Sequence, residues 1–271
     1  MLRGSAVNNF KLQPIWDATF TIYREMDALC QRHGLRFFAS YGTALGAIRH
    51  KGPIPWDDDF DTSMPRSDLE RFLKLSATEL PAWLKIVSYR SCRCYRNLFA
   101  KVIIADKVRV DSICDASGLP APEGIFVDIF PIDGYPASTV GRYFRAGYVS
   151  LFKAFLNLTG CNMFNRLMER FASFVSYDTA KYAIDWAGWR KEELSTIRKK
   201  GPKLLSPDDF GEGVEVQFMD GKVRVPSNYV KYLEWWYGNW RELPPEDKRH
   251  PDHTTKFQKT ALWRLGPTTS H

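Results

Sequence analysis

Four carboxylates stand within five residues of this chain, at Asp57, Asp58, Asp59 and Asp61. The segment has the character of a β-strand, and since strand side chains alternate between faces, Asp57, Asp59 and Asp61 should share one face. Same-face positions lie about 6.6 Å apart at Cα, so two such carboxylates can lean onto one cation. Mg²⁺ prefers one or two carboxylates together with phosphate oxygens and water. The pattern predicts that Asp59 and Asp61 bind Mg²⁺ or Mn²⁺; a solvated acidic turn is the alternative.

A fifth carboxylate, Asp128, interrupts an otherwise apolar segment, Gly124 to Ile132, which is predicted to be a strand. A lone buried carboxylate is rare unless it is paired or bound to a metal. Beside the first pair, Asp128 would complete a two-metal or shared-metal site. The alternative is an ion pair with an arginine such as Arg96 or Arg109.

Candidate phosphate-binding residues lie just upstream of the acidic segment. Gly42 follows a predicted strand, where a glycine lets phosphate approach the backbone, and the hydroxyl of Thr43 can bind phosphate oxygens. Arg49, His50 and Lys51 lie between this turn and the acidic segment, which would place positive charge near a leaving phosphate. A solvated helix end is an equally good interpretation of these three cations.

Weaker candidates for substrate contacts surround the same segment. Lys101, in a predicted strand, is a further phosphate candidate, and Trp56, Asp57 and Asp58 are candidate substrate contacts. An aromatic ring attracts a quaternary ammonium group by a cation–π contact, so Trp56 or the aromatic group at 235–240 could face choline. Hydrophobic core is the commoner role for such an aromatic group.

The residues around the acidic segment resemble a known signature, that of the LicD family, which has a nucleotidyltransferase fold. The resemblance is carried by Tyr41 to Gly52 and by Pro55 to Asp61. It continues in three later segments, Gly124 to Asp133, Val223 to Pro226 and Leu243 to Lys248. It therefore covers nearly the whole chain and is strongest at residues 36–72.

The family includes phosphorylcholine transferases that act on bacterial surface glycans and fukutin-related enzymes that transfer polyol phosphates. The resemblance therefore implies a CDP-linked donor, CDP-choline or a CDP-polyol, from which CMP leaves. A phosphodiester then forms on a hydroxyl of a glycan or glycolipid, such as lipopolysaccharide or teichoic acid. By position, Asp59, Asp61 and Asp128 become the catalytic metal ligands, and Gly42 and Thr43 meet the donor phosphates.

Two other functions remain open alternatives. In one, the enzyme is a nucleotidyltransferase that transfers a whole nucleotide and releases pyrophosphate. In the other, a non-catalytic protein uses a basic surface to bind a glycan or a membrane. Retention of the acidic residues argues against a dead site.

The elements that position these residues alternate between helices and strands, which predicts an α+β (mixed α/β) fold. A nucleotidyltransferase-like mixed sheet flanked by helices is expected at residues 1–135. A helical region with a hairpin at 215–225 and an aromatic helix at 228–240 is expected at 136–271, packed on the core as one unit. Other predicted elements are helices at 14–33, 44–50, 67–80 (opened by a Ser67–Glu70 capping box) and 139–175, and strands at 35–40, 84–89, 98–105 and 108–113.

Composition limits the partners and the compartment. The 271 residues carry a net charge of +7, which favours anionic partners such as nucleotides, phosphorylated glycans or acidic membrane surfaces. Nucleic acid is not expected, because no basic run is present. Five irregularly spaced cysteines fit a reducing compartment. Neither a signal peptide nor an apolar run of about 20 residues is recognised. The expected location is therefore the cytoplasm, with at most peripheral contact with the inner face of the membrane.

Overall fold

The computed structural model describes residues 5–91, 95, 97–104, 125–145, 147–148, 151, 167, 169–170, 174–185 and 204–250. Its helices are α1 (Ser5–His33), α2 (Tyr41–His50), α3 (Arg66–Glu79), α4 (Pro207–Phe210) and α5 (Tyr229–Tyr237), with short 3₁₀ helices at Tyr177–Thr179 and Glu246–Lys248. Its strands are β1 (Phe38–Ala39), β2 (Asp61–Pro65), β3 (Leu84–Val87), β4 (Ala100–Ile104), β5 (Phe126–Tyr135), β6 (Tyr182–Asp185), β7 (Val214–Phe218) and β8 (Gly221–Val225). The predicted α+β class is confirmed.

Six strands form one mixed sheet in the order β1-β2-β5-β4-β3, with β6 also paired to β5. The β2–β5 pair is parallel, and the other pairs are antiparallel. The long strand β5 pairs with β2 along one edge. Along its other edge it pairs first with β4 and then with β6. This arrangement makes β5 the centre of the sheet and brings residues from distant parts of the sequence side by side.

Helix α1 shows why the local sequence folds as it does. The apolar residues Ile15, Ile22, Met26 and Leu29 recur at helical spacing, and all four are buried. Gly34 ends the helix with φ +59°, a left-handed conformation that glycine adopts at little cost. The helix begins at Ser5, ahead of the predicted start, so its first turns precede the apolar pattern.

Several predicted boundaries differ from the structure. The capping box at α3 is wrong: the helix begins at Arg66 without a side-chain cap, because Ser67 hydrogen-bonds Asp178 and Glu70 binds Arg90. Strand β6 is not predicted by the sequence pattern, because its four residues are too few to show a clear alternation. The predicted strand 108–113 lies outside the described residues. Helical residues within 139–175 are 139–145, 147–148, 151, 167 and 169–170, while 174–175 form a bend and the others are not described.

The main hydrophobic core draws on both halves of the chain. Its buried members from the first half include Ile22, Met26, Phe60 and Ile129, and those from the second half include Phe218, Val225, Tyr232 and Leu233. The predicted hairpin and aromatic helix both form, as β7–β8 and α5. None of the helices within the described ranges is long and apolar enough to cross a bilayer.

Candidate active site

The acidic segment leads directly into the sheet. Only Asp61 belongs to β2, so the predicted strand through residues 56–61 is wrong for its first part, which lies in a turn and an irregular extension. The alternation of faces nevertheless holds: Asp58 and Phe60 are buried, whereas Asp57, Asp59 and Asp61 are partly exposed. The three carboxylates expected to share a face therefore do so.

Strand β5 places Asp128 directly beside Asp61. The two residues are partners in the parallel β2–β5 ladder, and the Asp128 N–H donates to the carbonyl oxygen of Phe60 at 3.0 Å. The hydroxyl of Thr62 donates to the Asp128 carbonyl oxygen at 2.5 Å. Residues separated by 67 positions are thus held at one point of the sheet.

The carboxylate of Asp128 has a cationic partner that the sequence analysis did not assign to it. Lys101, the cross-strand neighbour of Asp128 on β4, places Nζ 2.5 Å from Oδ1. Both side chains are about nine-tenths buried, and the ammonium lies 3.5 Å from the centre of the Phe126 ring. The predicted partners Arg96 and Arg109 lie outside the described part of the chain. Lys101 therefore neutralises Asp128, and its predicted contact with donor phosphate stays a prediction.

Asp61 lies in the most negative part of the cluster. Burial raises the pKa of its carboxyl well above the ordinary value, and Asp59, Asp128 and Asp57 raise this pKa further. Lys101 opposes them only in part. The ionised form of a carboxyl whose ionisation is opposed by adjacent carboxylates is stabilised by an added cation.

The first turn of α2 lies against this acidic cluster. The N–H of Asp61 donates to Oγ1 of Thr43 at 2.8 Å, and the N–H of Ser40 donates to the carbonyl oxygen of Asp61 at 2.9 Å. Thr43 is buried, so its observed role is to position Asp61. The helix N-terminus offers unpaired N–H groups and a partial positive charge, which suit a phosphate oxygen.

Gly42 packs so close to the acidic segment that a side chain there would require the Asp57 carboxylate to move. A Cβ at this position would overlap Oδ2 of Asp57. We expect Gly42→Ala to displace the Asp57 carboxylate and to lower kcat/KM for the donor by about 10- to 100-fold, since small misplacements at a reacting centre have effects of this size. Steady-state kinetics measures the loss.

Gly147→Ala is the matched control for this substitution. Gly147 is also helical, and a Cβ there meets nothing within 4 Å. Equal activity of the two variants would show that the close approach at Gly42 has no role.

The three basic residues at the end of α2, Arg49, His50 and Lys51, have different surroundings. The Nη1 group of Arg49 donates to the carbonyl oxygens of Trp240 (2.9 Å) and Glu242 (3.1 Å), which ties the segment after α5 to α2. Burial lowers the pKa of His50, and the adjacent Arg49 lowers it further, so this imidazole is neutral near pH 7. Lys51 is exposed and caps the helix with φ +61°. Their contacts with donor phosphate stay predictions.

Helix α5 supplies a wall of the site; its aromatic residues were candidate substrate contacts, but their contact with α2 and the acidic cluster was not predicted. The Tyr41 N–H, at the start of α2, donates to the hydroxyl of Tyr232 at 3.2 Å, and the ring of Trp236 lies 4.6 Å from that of Tyr41. Burial raises the pKa of Tyr237 well above its usual value, and the carboxylates of Asp57, Asp61 and Asp59 raise it further. Tyr237 therefore faces the acidic cluster as a neutral phenol, a placement that depends on long-range packing.

The aromatic residues expected to meet a choline group have other neighbours. The ring of Trp56 has the Arg249 guanidinium 5.4 Å from its centre and His50 at its edge. Trp240 is buried in the main core, and Trp235 and Trp236 pack against that core. The core role weighed for this group is therefore the one observed.

The donor set of the cluster fits a hard divalent cation. Asp59 and Asp61 offer carboxylate oxygens to a cation. The neighbouring carboxylates contribute to the raised pKa of Asp61, and Lys101 offsets their charge only in part. Within the ranges the structure describes, no three His, Cys, Asp or Glu side chains already stand in a ligating arrangement. Asp128 is engaged with Lys101, so Asp59 and Asp61 are the pair best suited to hold the ion.

Comparison with known proteins identifies the same region. A family model described as LicD/FKTN/FKRP, nucleotidyltransferase domain, matches residues 34–139. The lipopolysaccharide cholinephosphotransferase LicD of Haemophilus influenzae is 28% identical over 258 residues, spanning 83% of this chain and 89% of the relative. Uncharacterized proteins of Rickettsia typhi and Rickettsia prowazekii are 30% and 33% identical over 56 and 49 residues, which are 21% and 18% of this chain and 18% of each relative.

The matched region contains all of the acidic cluster and the start of α2, and the similarity to the Haemophilus enzyme extends well beyond it. The candidate site therefore lies inside the region that matches the family model. Residues 34–139 match the LicD family domain, and most of the chain is similar to a LicD cholinephosphotransferase.

Proposed function

We propose that this chain transfers phosphocholine, or a similar phospho-group, from a CDP-linked donor to a sugar hydroxyl of a cell-surface glycan such as lipopolysaccharide. The observation that carries the proposal is the acidic cluster at the N-terminus of α2, which pairs a cation-binding surface with a phosphate-binding one. The similarity to a lipopolysaccharide cholinephosphotransferase supports the choice of transferred group and acceptor.

In the proposed reaction, the acceptor oxygen forms a bond to the phosphorus of the phosphocholine group. The bond from that phosphorus to the oxygen of the CMP phosphate breaks, and CMP leaves with the bonding electron pair. The acceptor proton passes to a carboxylate of the cluster. Asp61, whose pKa is raised, and Asp128, which Lys101 holds in place, are the two candidates for this role.

The chain's own residues supply the binding and the positioning. Asp59 and Asp61 would hold Mg²⁺ or Mn²⁺, which when bound offsets negative charge on the pyrophosphate and on departing CMP. The N–H groups of Gly42 and Thr43, in the first turn of α2, would bind phosphate oxygens. Thr43 keeps Asp61 in register with these groups through its hydrogen bond to the Asp61 N–H.

Product analysis tests the reaction type. With CDP-choline, Mg²⁺ and lipopolysaccharide, we expect CMP to be released and the acceptor mass to rise by one phosphocholine group. Release of pyrophosphate from a nucleoside triphosphate, with a nucleotide added to the acceptor, would favour nucleotidyl transfer instead. Metal-independent glycan binding with no turnover of any CDP-linked donor would favour the non-catalytic alternative.

Cation binding is also expected to release a proton from Asp61. Because the pKa of Asp61 is raised in the folded protein, this carboxyl holds its proton to a higher pH than an ordinary aspartate does, and a bound cation favours the ionised form. Calorimetry of Mg²⁺ and CDP-choline binding should therefore give an enthalpy that changes with the ionisation enthalpy of the buffer. The change should vanish in Asp61→Asn, and binding should weaken as the pH falls. A buffer-independent enthalpy in the parent would contradict this assignment.

A further inference from the structure

In the helical segment that follows β5, basic side chains contact the body of the protein and apolar side chains face solvent, which is the reverse of an ordinary surface helix. It begins after Ser138, whose Oγ accepts from the N–H of Gly141 at 3.1 Å. Arg142 points back to the body of the protein, where Nε donates to the Pro136 carbonyl oxygen at 3.0 Å. Arg145 is 2% exposed, and its Nη1 donates to the Gly134 carbonyl oxygen. The charged face of this helix is thus the anchored one.

The opposite face is apolar and exposed. Val140 is 79% exposed, Tyr143 51% and Phe144 66%, and their i, i+3, i+4 spacing places them on one side of the helix. Leu151, a helical residue further along the chain, is 73% exposed. A surface helix normally buries its apolar stripe against the core. Three large apolar side chains on one helix face that point to solvent mark an interaction surface.

We propose that this face, Val140–Tyr143–Phe144, docks the protein onto an anionic lipid surface. Helices that lie in the membrane interface present Phe and Leu to the acyl boundary and carry basic residues close by. Two exposed cations are available here, Lys181 and Arg170. Lys181 precedes Tyr182, and the guanidinium of Arg142 lies 5.1 Å from the centre of the Tyr182 ring.

Charge favours lipid over a second copy of the chain. Of the basic side chains near this face, Arg142 and Arg145 are anchored to the body of the protein, whereas Arg170 and Lys181 are exposed. The acidic Glu169 is bonded to Arg66 and Arg90. A two-fold dimer through this face would bring like charges together, because the same surface meets itself. An anionic bilayer attracts the same charges by about 1 kcal/mol for each basic residue near the surface.

Vesicle flotation tests the proposal without donor, acceptor or turnover, so its outcome is independent of the proposed reaction. The parent protein should float with vesicles of equal parts phosphatidylcholine and phosphatidylglycerol, and much less with phosphatidylcholine alone. Val140→Ser/Phe144→Ser should lower the partition coefficient by about tenfold or more, because the inserted apolar area is lost. Phe144→Leu should keep most of the binding.

Val214→Ser is the matched control, since Val214 is also exposed but lies on β7. It should bind vesicles as the parent does. Equal thermal stability of the serine variants would show that they remain folded. The proposal is overturned if the parent does not float, if it floats equally with both vesicle types, or if the double variant floats as well as the parent. Light scattering that shows a dimer lost in the double variant, without vesicle binding, would assign the face to a second copy instead.

Discussion

Asp61→Asn is expected to lower transfer by about 10³-fold or more, because the loss of a metal-ligating carboxylate removes several kcal/mol of transition-state stabilisation. Asp59→Asn should have an effect of the same order. Steady-state assays with CDP-choline at saturating Mg²⁺ measure both. Asp220→Asn is a suitable control, since Asp220 is an exposed hairpin residue paired with Arg24.

The same Asp61→Asn change should make the cation-free protein more stable at neutral pH. In the folded chain the pKa of Asp61 is raised, so the unfolded chain loses this proton first as the pH rises. The stability of the parent therefore falls between the ordinary aspartate range and the raised pKa, and stays lower above it. Asparagine does not titrate, so the variant should melt a few degrees higher in the presence of a chelator. Normal turnover, or a lower melting temperature together with lost activity, would contradict the account.

Lys101→Met is expected to destabilise the protein by about 3 kcal/mol, because breaking a buried ion pair leaves an uncompensated charge. Asp128 would then stand unneutralised beside Asp61, whose own carboxyl already resists ionisation. Urea unfolding at neutral pH measures the loss. The double variant Lys101→Met/Asp128→Leu should recover a large part of the stability, since an apolar pair replaces the ion pair.

Lys222→Met provides the matched control for this pair. Lys222 also bonds a cross-strand carboxylate, Glu215, but its side chain is 65% exposed. Exposed pairs contribute little, so this variant should unfold close to the parent. Equal free energies of unfolding for the Lys101 and Lys222 variants would show that the Lys101–Asp128 pair does not contribute as a buried ion pair.

Local sequence patterns predicted many of the elements. The helix predicted at 14–33 and the hairpin predicted at 215–225 each depend on nearby residues, and each element forms. The alternation that put Asp57, Asp59 and Asp61 on one face held even where the chain is not a regular strand. Such features follow from steric preferences that operate within a few residues.

What the sequence did not supply is the pairing between distant segments. The register that sets Asp61 beside Asp128, and Asp128 beside Lys101, is fixed by the assembled sheet. Lys101 could therefore be identified as a cation but not as the partner of Asp128. Tyr237 faces the carboxylates only because α5 packs on α2, and no local pattern marks that contact.

In the proposed function, Asp59 and Asp61 jointly hold a divalent cation against the donor pyrophosphate. A crystal structure of the protein with CDP-choline and Mn²⁺, measured for the anomalous signal of manganese, is the decisive experiment. We expect a manganese peak within ligand distance of both carboxylates, with donor phosphate oxygens at the N-terminus of α2. A well-bound donor whose phosphates and metal lie away from Asp59 and Asp61 would contradict it.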